Sequence, residues 1–241
     1  MNLKDKSALK KIQFYATSSY SCGYIQNREA QSIVATPYNR ITSETYSDLI
    51  KKGFRRSGQY VYKPNCNKCS ACTPIRICAE RFSLSKNQKR AFKKTSPLSF
   101  KILPLTFNKD HYALYVDYQN NRHRVQESAD SNEDDYNDFL IKSNVNSKII
   151  EFRSDGILKV VTIVDFIDDG ISAVYTFFDT KDKRKSFGTY SILWLMERCK
   201  EEKLQFLYLG YWIDECAKME YKTNFMPYEL LINNSWQEAS S

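Results

Sequence analysis

The second half of the chain shows a helical pattern, then consecutive apolar strands, then a long helix and further strands. The runs SKIIEFR, ILKVVTIVDFI and ISAVYTFFD are rich in β-branched and aromatic residues, which predicts buried strands. The sequence DDG between the last two runs predicts a hairpin turn. Apolar residues at helical spacing predict helices in HYALYVDYQNNRH and SFGTYSILWLMERCKEEK, with further strands at LQFLYLGYWI and YELLIN. This order predicts an α+β domain of the acyltransferase type over residues 97–241.

Short strands, turns and two helices are predicted in the first half. The segment SETYSDLIKK has an N-cap residue, Ser43, and is followed by a glycine, as expected of a helix. The segment FRRSGQYVYKP predicts a hairpin that turns at Ser57–Gly58, and TPIRICAERF predicts a strand. A second helix is predicted at SKNQKRAFKK, where Ser85 and Gln88 occupy capping-box positions. These elements predict a small N-terminal domain over residues 1–96.

Charge is divided unevenly between the two halves. Residues 1–96 contain 19 Lys and Arg against 5 Asp and Glu, a net charge of +14. Residues 97–241 contain 17 against 23, a net charge of −6. A basic half favours a polyanionic partner, foremost nucleic acid, and five of its basic residues lie on the helix SKNQKRAFKK. The alternative is a solvated basic surface.

The chain has the composition of a cytoplasmic globular protein. Apolar runs stay shorter than the roughly 18 residues of a membrane span, and the N-terminal MNLKDKSALKKIQF lacks the apolar core of a signal peptide. The seven cysteines are an odd number, which argues against a disulfide framework. We therefore expect free, metal-bound or reactive thiols.

Three cysteines follow one another at three-residue spacing in PNCNKCSACTPIR. Cys66, Cys69 and Cys72 in this pattern indicate thiolate ligation, and a tetrahedral zinc site would take a fourth ligand, for which Cys22 is the candidate. The same four thiols could hold an iron–sulfur cluster. The alternative is a set of small buried thiols that brace a turn. Three further thiols lie in strand, helix and apolar surroundings and are expected to be inert: Cys78, Cys199 and Cys216.

Hydrolytic chemistry with a covalent nucleophile has little support. The two histidines, His111 and His123, lie near one helix, and no Gly-x-Ser-x-Gly precedes a helix. The segment KRKSFGTY places basic residues and Gly188 at a helix start, where backbone N–H groups bind phosphate. A coenzyme A acetyltransferase would normally carry two close glycines there, so a conventional acetyltransferase is a weaker alternative.

A segment rich in aromatic and basic residues follows the last long strand. In YLGYWIDECAKMEYKTNFMP, Lys218 and Lys222 are one helical turn apart. The segment is either an amphipathic surface or a cationic rim on a cleft between splayed strands.

Four stretches together resemble one family, the aminoacyl-tRNA–protein transferases that tag protein N-termini for degradation. They are SCGYIQNREA, GFRRSGQYVYKPNCNKCSACTPIRI, DDGISAVYTFFDTKDKRKSFGTYSI and YLGYWIDECAKMEYKTNFMPYELL. The resemblance runs in order along nearly the whole chain. The short length and the cysteine triplet are similar to the bacterial, leucyl-transferring branch, and longer eukaryotic arginyltransferases share the core.

The resemblance implies a reaction and a fold. Leucine would pass from leucyl-tRNA to the α-amine of proteins that begin with Asp or Glu, on an acetyltransferase-like (GNAT-type) C-terminal domain. The aminoacyl ester is already activated, and an α-amine with a pKa near 7.7–8.0 is partly neutral at physiological pH, so no cofactor is expected for catalysis. A tRNA partner also accounts for the charge of the first half.

The resemblance also suggests roles for individual residues. The candidate catalytic residues are Asp165 and Asp179, as carboxylate bases at strand ends, and Tyr175. The candidate cations for the acidic N-terminus of the acceptor are Arg76, Lys86, Arg90 and Lys222. The candidates for the tRNA acceptor end are Lys183, Arg184, Ser186, Gly188, Tyr190, Tyr211 and Lys218.

One departure from the family pattern concerns the cysteines. Eukaryotic members resemble Cys-Gly-Tyr-Cys near the start and carry an adjacent cysteine pair, where this chain has Ile25 and Ala71. Cys66 and Cys69 could restore four thiols for a structural or redox-regulatory zinc ion or iron–sulfur cluster. The alternatives are an arginyl-tRNA donor with the same acceptors, or a non-catalytic, metal-containing tRNA-binding module.

Overall fold

The computed structural model describes residues 12–95, 98–122, 132–182 and 186–239. The strands are β1 (Gln13–Ala16), β2 (Tyr20–Ser21), β3 (Glu29–Ala30), β4 (Ser32–Thr36), β5 (Arg55–Ser57), β6 (Tyr60–Pro64), β7 (Thr73–Cys78), β8 (Ser99–Pro104), β9 (Ser147–Ser154), β10 (Ile157–Ile167), β11 (Gly170–Phe178), β12 (Phe206–Trp212), β13 (Tyr228–Ile232) and β14 (Ser235–Glu238). The α-helices are α1 (Ser43–Lys51), α2 (Lys86–Thr95), α3 (Lys109–Arg122), α4 (Glu133–Tyr136, continued by a π turn over Asn137–Ile141) and α5 (Phe187–Glu201). Two 3₁₀ turns span Tyr38–Arg40 and Ala217–Asn224. The predicted α+β class is confirmed.

The main sheet has eight strands in the order β14-β13-β7-β12-β11-β10-β9-β8. Its pairs are antiparallel except β11 and β12, which run parallel. Strand β7 comes from the first half of the chain and lies between β12 and β13. The domain boundary predicted at residues 96 and 97 therefore does not separate the strands of this sheet.

Helices cover both faces of the main sheet. On one face α5 packs Leu195 and Met196 against sheet residues such as Val160. On the other face α3 and α4 pack Tyr115 and Leu140 against neighbours that include Val161. Successive residues of β10 thus enter opposite cores, which is the alternation expected of a strand covered on both sides. None of the described helices is long and apolar enough to cross a membrane.

A smaller sheet with the order β1-β4-β6-β5 packs with α1 beside the main sheet. Tyr46, Leu49 and Val61 of this unit share a core with Ile167 and Tyr208 of the main sheet. A two-stranded ribbon of β2 and β3 lies nearby in the chain. The first half is therefore joined to the second through a common apolar core.

Local signals in the first half are correct to within a residue. The capping box of α2 is confirmed, since the Ser85 backbone N–H donates to Gln88 Oε1 at 2.9 Å and the Gln88 N–H donates to Ser85 Oγ at 3.2 Å. The N-cap of α1 is Thr42 rather than Ser43, because Thr42 Oγ1 accepts the Thr45 N–H. The hairpin between β5 and β6 turns one residue later than predicted, at residues 58–59.

Strands β11 and β12 separate after a short parallel pairing. Gly170–Ser172 pair with Phe206–Tyr208, and no further β11–β12 pair is formed within the described residues. Strand β12 then carries a bulge, because Tyr208 pairs with Arg76 whereas Tyr211 pairs with Pro74. Gly210 lies within the bulge at φ +74°, a conformation that side chains disfavour. The two strands therefore diverge beyond this pairing.

Candidate functional site

A cavity of about 270 Å³ lies beside the bulged strand β12. Its lining includes four tyrosines and four cysteines: Tyr20, Tyr24, Tyr62, Tyr211, Cys22, Cys66, Cys69 and Cys72. Strand β12 contributes Tyr211, and the other residues come from the first half of the chain. The structure therefore brings the four cysteines predicted from the sequence to one site, beside Tyr211 of strand β12.

The thiols of this cavity differ in their hydrogen bonds. Arg28 donates to Cys69 Sγ at 3.4 Å, and backbone N–H groups donate to the sulfurs of Cys22 and Cys66. The backbone N–H of Ala71 and the Arg28 guanidinium lower the pKa of Cys69. Burial and the neighbouring thiols raise the pKa of Cys72 to about 11. Cys69 is therefore the better nucleophile of these two.

The four thiols are suitable ligands for a soft metal, but their positions do not form a coordination site for an ion. All seven cysteines are free. Within the described ranges, no group of three or more Cys, His, Asp or Glu side chains is placed to hold a metal ion. Thiolates suit zinc or iron–sulfur clusters, so the set fits by ligand type and not by geometry. Binding of such a group stays a prediction, and no chemical step depends on it.

Arg55 lies half-buried at the foot of strand β5, between two of the cavity tyrosines. Its guanidinium carbon is 5.9 Å from the ring centroid of Tyr62 and 5.5 Å from that of Tyr211. Among the residues that the structure describes, no carboxylate forms an ion pair with Arg55 and no hydrogen bond is made by its side chain. Burial opposes the positive charge, but the surrounding tyrosines, foremost Tyr62, leave the pKa of Arg55 raised.

Sequence reasoning did not select Arg55, although the doublet FRR contained a signal. Adjacent residues of a strand point to opposite faces, so Arg55 and Arg56 cannot share one environment. Arg56 enters the core and pairs with Asp165, while Arg55 faces the tyrosines. The alternation predicts that the two arginines lie in different environments, but only the fold shows which one has a carboxylate partner.

Lys222 is buried on the 3₁₀ turn that follows β12. Its ammonium donates to the backbone carbonyls of Leu209, at 2.8 Å, and Tyr211, on either side of Gly210. Burial and the nearby positive charge of Arg55 lower the pKa of Lys222 to about 7. This corrects the expectation that Lys222 contacts an acidic substrate directly. Two of its three donors are used to hold the bulge of β12.

Asp165 is a structural residue rather than the predicted base. It is fully buried on β10, and both of its carboxylate oxygens accept hydrogen bonds from Arg56, at 2.8 and 2.9 Å. Ser147 Oγ donates to the same carboxylate at 2.5 Å. A carboxylate enclosed by these donors does not face any substrate.

Asp179 and Tyr175 lie toward the end of β11. Asp179 accepts a hydrogen bond from Lys159 at 2.7 Å. Burial alone would raise the pKa of Asp179. The hydrogen bonds from Lys159 and from the Lys181 backbone N–H outweigh burial and lower this pKa, which weakens Asp179 as a base. Tyr175 is half-buried in an aromatic cluster, with its ring 5.3 Å from that of Phe139, and burial raises its pKa. Their catalytic roles stay predictions.

The other predicted cations for the acidic acceptor lie on two elements, β7 and α2. Arg76 is buried on β7, where it donates to Glu229 at 2.8 Å and to the Tyr208 hydroxyl at 3.1 Å. Its guanidinium stacks over the Phe206 ring at 3.5 Å, so Arg76 is occupied within the protein. This corrects its assignment to the substrate. Lys86 and Arg90 are exposed on α2.

The predicted contacts for the tRNA acceptor end fall into several environments. Tyr190 is buried in the core and stacks on Phe92 with ring centroids 5.0 Å apart, which corrects its expected role in stacking on a base. Tyr211 is also buried, and its hydroxyl donates to the Gly53 carbonyl at 2.7 Å. Exposed Ser186 is the N-cap of α5, half-buried Gly188 packs near Phe178, and Lys218 is exposed. Lys183 and Arg184 lie outside the described residues.

The surroundings of His111 do not support a hydrolytic triad. His111 is buried, and its Nε2 lies 3.0 Å from a carboxylate oxygen of Glu151. Arg153 binds the same carboxylate, so the group is an internal polar cluster. His123 lies outside the described residues.

Comparison with known proteins identifies the family. Residues 20–90 match the family described as arginine-tRNA-protein transferase, N terminus, and residues 110–232 match arginine-tRNA-protein transferase, C terminus. The aspartate/glutamate leucyltransferase of Methylobacillus flagellatus is 49% identical, with 98% of this chain and 96% of the relative covered. That of Chromobacterium violaceum is 42% identical, with 98% of both chains covered. The chain belongs to the arginine-tRNA–protein transferase family, within its aspartate/glutamate leucyltransferase group.

Similarity to solved structures is lower. The structure of L-PGS from Bacillus licheniformis covers 69% of this chain and 48% of its own, at 13% identity and a TM-score of 0.45. A likeness of this size does not define a shared fold.

Proposed function

We propose that this protein transfers leucine from leucyl-tRNA to the α-amine of proteins with N-terminal Asp or Glu. The observation that carries the proposal is 49% identity over 98% of the chain to a protein named aspartate/glutamate leucyltransferase. An arginyl donor has less support, because the similar relatives are leucyltransferases whereas the arginine-tRNA description belongs to the broader family. Addition of leucine would mark the acceptor for degradation in the cytoplasm.

The reaction needs positioning more than a covalent nucleophile. The neutral α-amine attacks the carbonyl carbon of the aminoacyl ester, a C–N bond forms, and the ester C–O bond breaks. The ribose hydroxyl of the tRNA leaves with the proton released by the amine. Holding the two reactants together supplies much of the rate enhancement. Such a reaction needs no histidine as part of a catalytic triad, which agrees with the internal contact of His111 to Glu151.

The donor tRNA has a suitable surface on α2. Five exposed basic residues lie on this helix: Lys86, Lys89, Arg90, Lys93 and Lys94. None forms an ion pair within the described part of the chain. Unpaired cations of this kind bind a phosphate backbone by releasing counter-ions. We assign the body of the tRNA to this surface.

The separation of β11 and β12 supports an acetyltransferase-like arrangement. In such an arrangement the activated donor enters between the diverging strands, near the start of the following helix. Here α5 begins beside the end of β11, and a Cβ at Gly188 would lie 3.4 Å from the Phe178 ring. We propose that the acceptor end of the tRNA approaches this region, where Ser186 and Gly188 lie.

The experiment is a transfer assay with the purified protein. Labelled leucyl-tRNA and arginyl-tRNA are offered in parallel to reporters that begin with Asp, Glu, Lys or Arg. We expect leucine on the Asp and Glu reporters alone. Arginine on the same reporters would move the protein to the arginyl branch, and tRNA binding without transfer from either donor would favour a non-catalytic binding module.

A metal on the cavity thiols is a separate proposal. The shared cavity of Cys22, Cys66, Cys69 and Cys72 supports a structural zinc ion or iron–sulfur cluster, while their present arrangement opposes it. Elemental analysis of protein purified without oxygen tests the proposal. About one zinc, or a stoichiometric iron and sulfide content that is lost in Cys66→Ser, would support it, whereas metal-free, fully folded protein would reject it.

A further inference from the structure

Arg55, at the bulge of β12, is a cation without a counter-charge. Arg55 lies above Tyr211, and Lys222 binds the backbone carbonyl of the same tyrosine. Within the described ranges, neither of them forms an ion pair with a carboxylate. A positive charge removed from water without a partner is costly, and the ammonium of Lys222, where it is protonated, adds a second positive charge near Arg55. The region is therefore electrostatically prepared for an anion.

The other arginines that enter the protein near this region are paired. Arg56 binds Asp165, and Arg76 binds Glu229. Their charges are neutralised inside the fold, as buried charges normally are. Arg55 departs from this pattern although it lies next to Arg56 in sequence. A free guanidinium at a half-buried position is best explained by a partner that is supplied from outside.

The chemistry of Arg55 favours a carboxylate over a phosphate backbone. A guanidinium forms two parallel hydrogen bonds with a carboxylate, and the rings of Tyr62 and Tyr211 restrict its orientation. A phosphate backbone is bound by exposed, hydrated cations, which this protein carries on α2. Tyr211, whose ring faces Arg55, also lines the cavity of about 270 Å³.

We propose that Arg55 binds the side-chain carboxylate of the acceptor's N-terminal Asp or Glu, and so determines the acceptor specificity of the enzyme. The inference rests on the proposed function. It assigns the contact with the acidic acceptor to Arg55, in place of Arg76 and Lys222, which are bound within the protein. Lys222 is a positioning residue in this scheme. By binding the carbonyls of Leu209 and Tyr211 it fixes the bulge, and with it the ring of Tyr211 below Arg55.

The test compares acceptors that differ only in charge. Reporters beginning with Asp and Asn are offered, with leucyl-tRNA, to the wild type, to Arg55→Gln, to Arg55→Lys and, as a matched control, to Arg40→Gln on an exposed turn. Loss of a charged hydrogen-bonded pair should lower kcat/KM for the Asp reporter by about 10- to 100-fold in Arg55→Gln. The Asn reporter should change little. The kcat/KM of Arg55→Lys for the Asp reporter should lie between those of the wild type and Arg55→Gln, because lysine keeps the charge and loses the paired guanidinium donors. Arg40→Gln should match the wild type.

Two results would overturn the inference. Equal losses for Asp and Asn reporters, with normal circular dichroism and leucyl-tRNA affinity, would make Arg55 a purely structural residue. A lower affinity for leucyl-tRNA with an unchanged Asp to Asn ratio would assign Arg55 to a phosphate.

Peptide binding separates this inference from the proposed function. Isothermal titration of the wild type with a peptide beginning with Asp, against one beginning with Asn, measures recognition without transfer. If the wild type transfers no leucine but prefers the Asp peptide in an Arg55-dependent manner, the proposed function fails and the inference stands. If it shows no preference for the Asp peptide, the inference fails. Should Arg55→Gln not fold, Arg55→Lys and the wild-type preference decide.

Discussion

Arg56 and Asp165 form a buried, two-point ion pair that joins the two halves of the chain. The guanidinium donates from Nε at 2.9 Å and from Nη2 at 2.8 Å, and both side chains are excluded from solvent. Arg56 lies on β5 of the small sheet, and Asp165 lies on β10 of the main sheet. The remaining Arg56 nitrogen donates to the Gly58 carbonyl at 2.7 Å. This contact supports the small sheet against the main one.

Asp165→Asn should destabilise the protein strongly. Removing one partner of a buried pair leaves the guanidinium charge of Arg56 uncompensated, which costs about 3–5 kcal/mol. We expect the midpoint of urea unfolding to fall accordingly. Asp179→Asn is the matched control and should cost less, because the Asp179–Lys159 pair is partly exposed.

The double variant Arg56→Met/Asp165→Leu separates structure from catalysis. It removes both charges and should recover part of the lost stability. If Asp165→Asn instead keeps wild-type stability and loses transfer activity alone, Asp165 would be the base and the structural assignment would be contradicted.

Tyr190 should behave as a core residue. It is 3% exposed and packs against Phe92 and Phe152. Tyr190→Ala should lower the free energy of unfolding by about 3–5 kcal/mol, whereas Tyr190→Phe should change it by less than about 1 kcal/mol. Affinity for leucyl-tRNA, measured on the folded fraction, should stay unchanged in both. A tRNA-binding defect in Tyr190→Ala at wild-type stability would restore the base-stacking role.

Lys222 should make stability increase with pH above neutrality. Its pKa of about 7 in the folded protein, lowered by burial and by Arg55, lies below the usual value of 10.5. Between about pH 7 and 10.5 the unfolded chain therefore holds a proton that the folded chain does not, so alkali favours folding. Below pH 7 both states are protonated and this contribution to the slope vanishes.

Thermal unfolding of wild type and Lys222→Met isolates the contribution of Lys222. The variant loses two hydrogen bonds at every pH. It should also lack the increase in stability that Lys222 gives the wild type above neutral pH. The difference in Tm between wild type and variant should therefore become larger from pH 6.5 to 9.5. Lys218→Met, on the same turn and exposed, should parallel the wild type. A difference between wild type and Lys222→Met that does not vary with pH would contradict the prediction.

The cysteines should differ in reactivity. Cys69 has a lowered pKa because the Ala71 N–H and Arg28 stabilise its thiolate, while burial raises the pKa of Cys72 to about 11 and that of Cys199 to about 12. Alkylation at pH 7.5, followed by peptide mass spectrometry, should label Cys69 before Cys72 and Cys199. Arg28→Gln should slow labelling of Cys69 alone. Labelling of Cys72 before Cys69 in metal-free protein would contradict this order.

The sequence predicted local elements well and long-range partners poorly. The capping box of Ser85 and Gln88 depends on residues three apart, so it was visible in the sequence and is confirmed. The partner of Asp165 is Arg56, 109 positions away, and nothing local distinguishes a paired carboxylate from a base at a strand end.

The site was predictable in the same uneven way. The three-residue spacing of Cys66, Cys69 and Cys72 predicts a shared site, and these residues line one cavity with Cys22. The bulge at Gly210 and the two carbonyls that bind Lys222 depend on how β12 pairs with β7, which the sequence does not encode locally. The sequence therefore predicts a substrate contact at Lys222 and makes no prediction for Arg55.

The central claim is that leucine is added to an acidic N-terminus. The most direct measurement is the intact mass of a reporter beginning with Asp after incubation with the protein and leucyl-tRNA, beside the same reporter with its α-amine acetylated. We expect a gain of one leucine residue on the free reporter and none on the acetylated one. An unchanged mass for the free reporter, with leucyl-tRNA intact and bound, would contradict it.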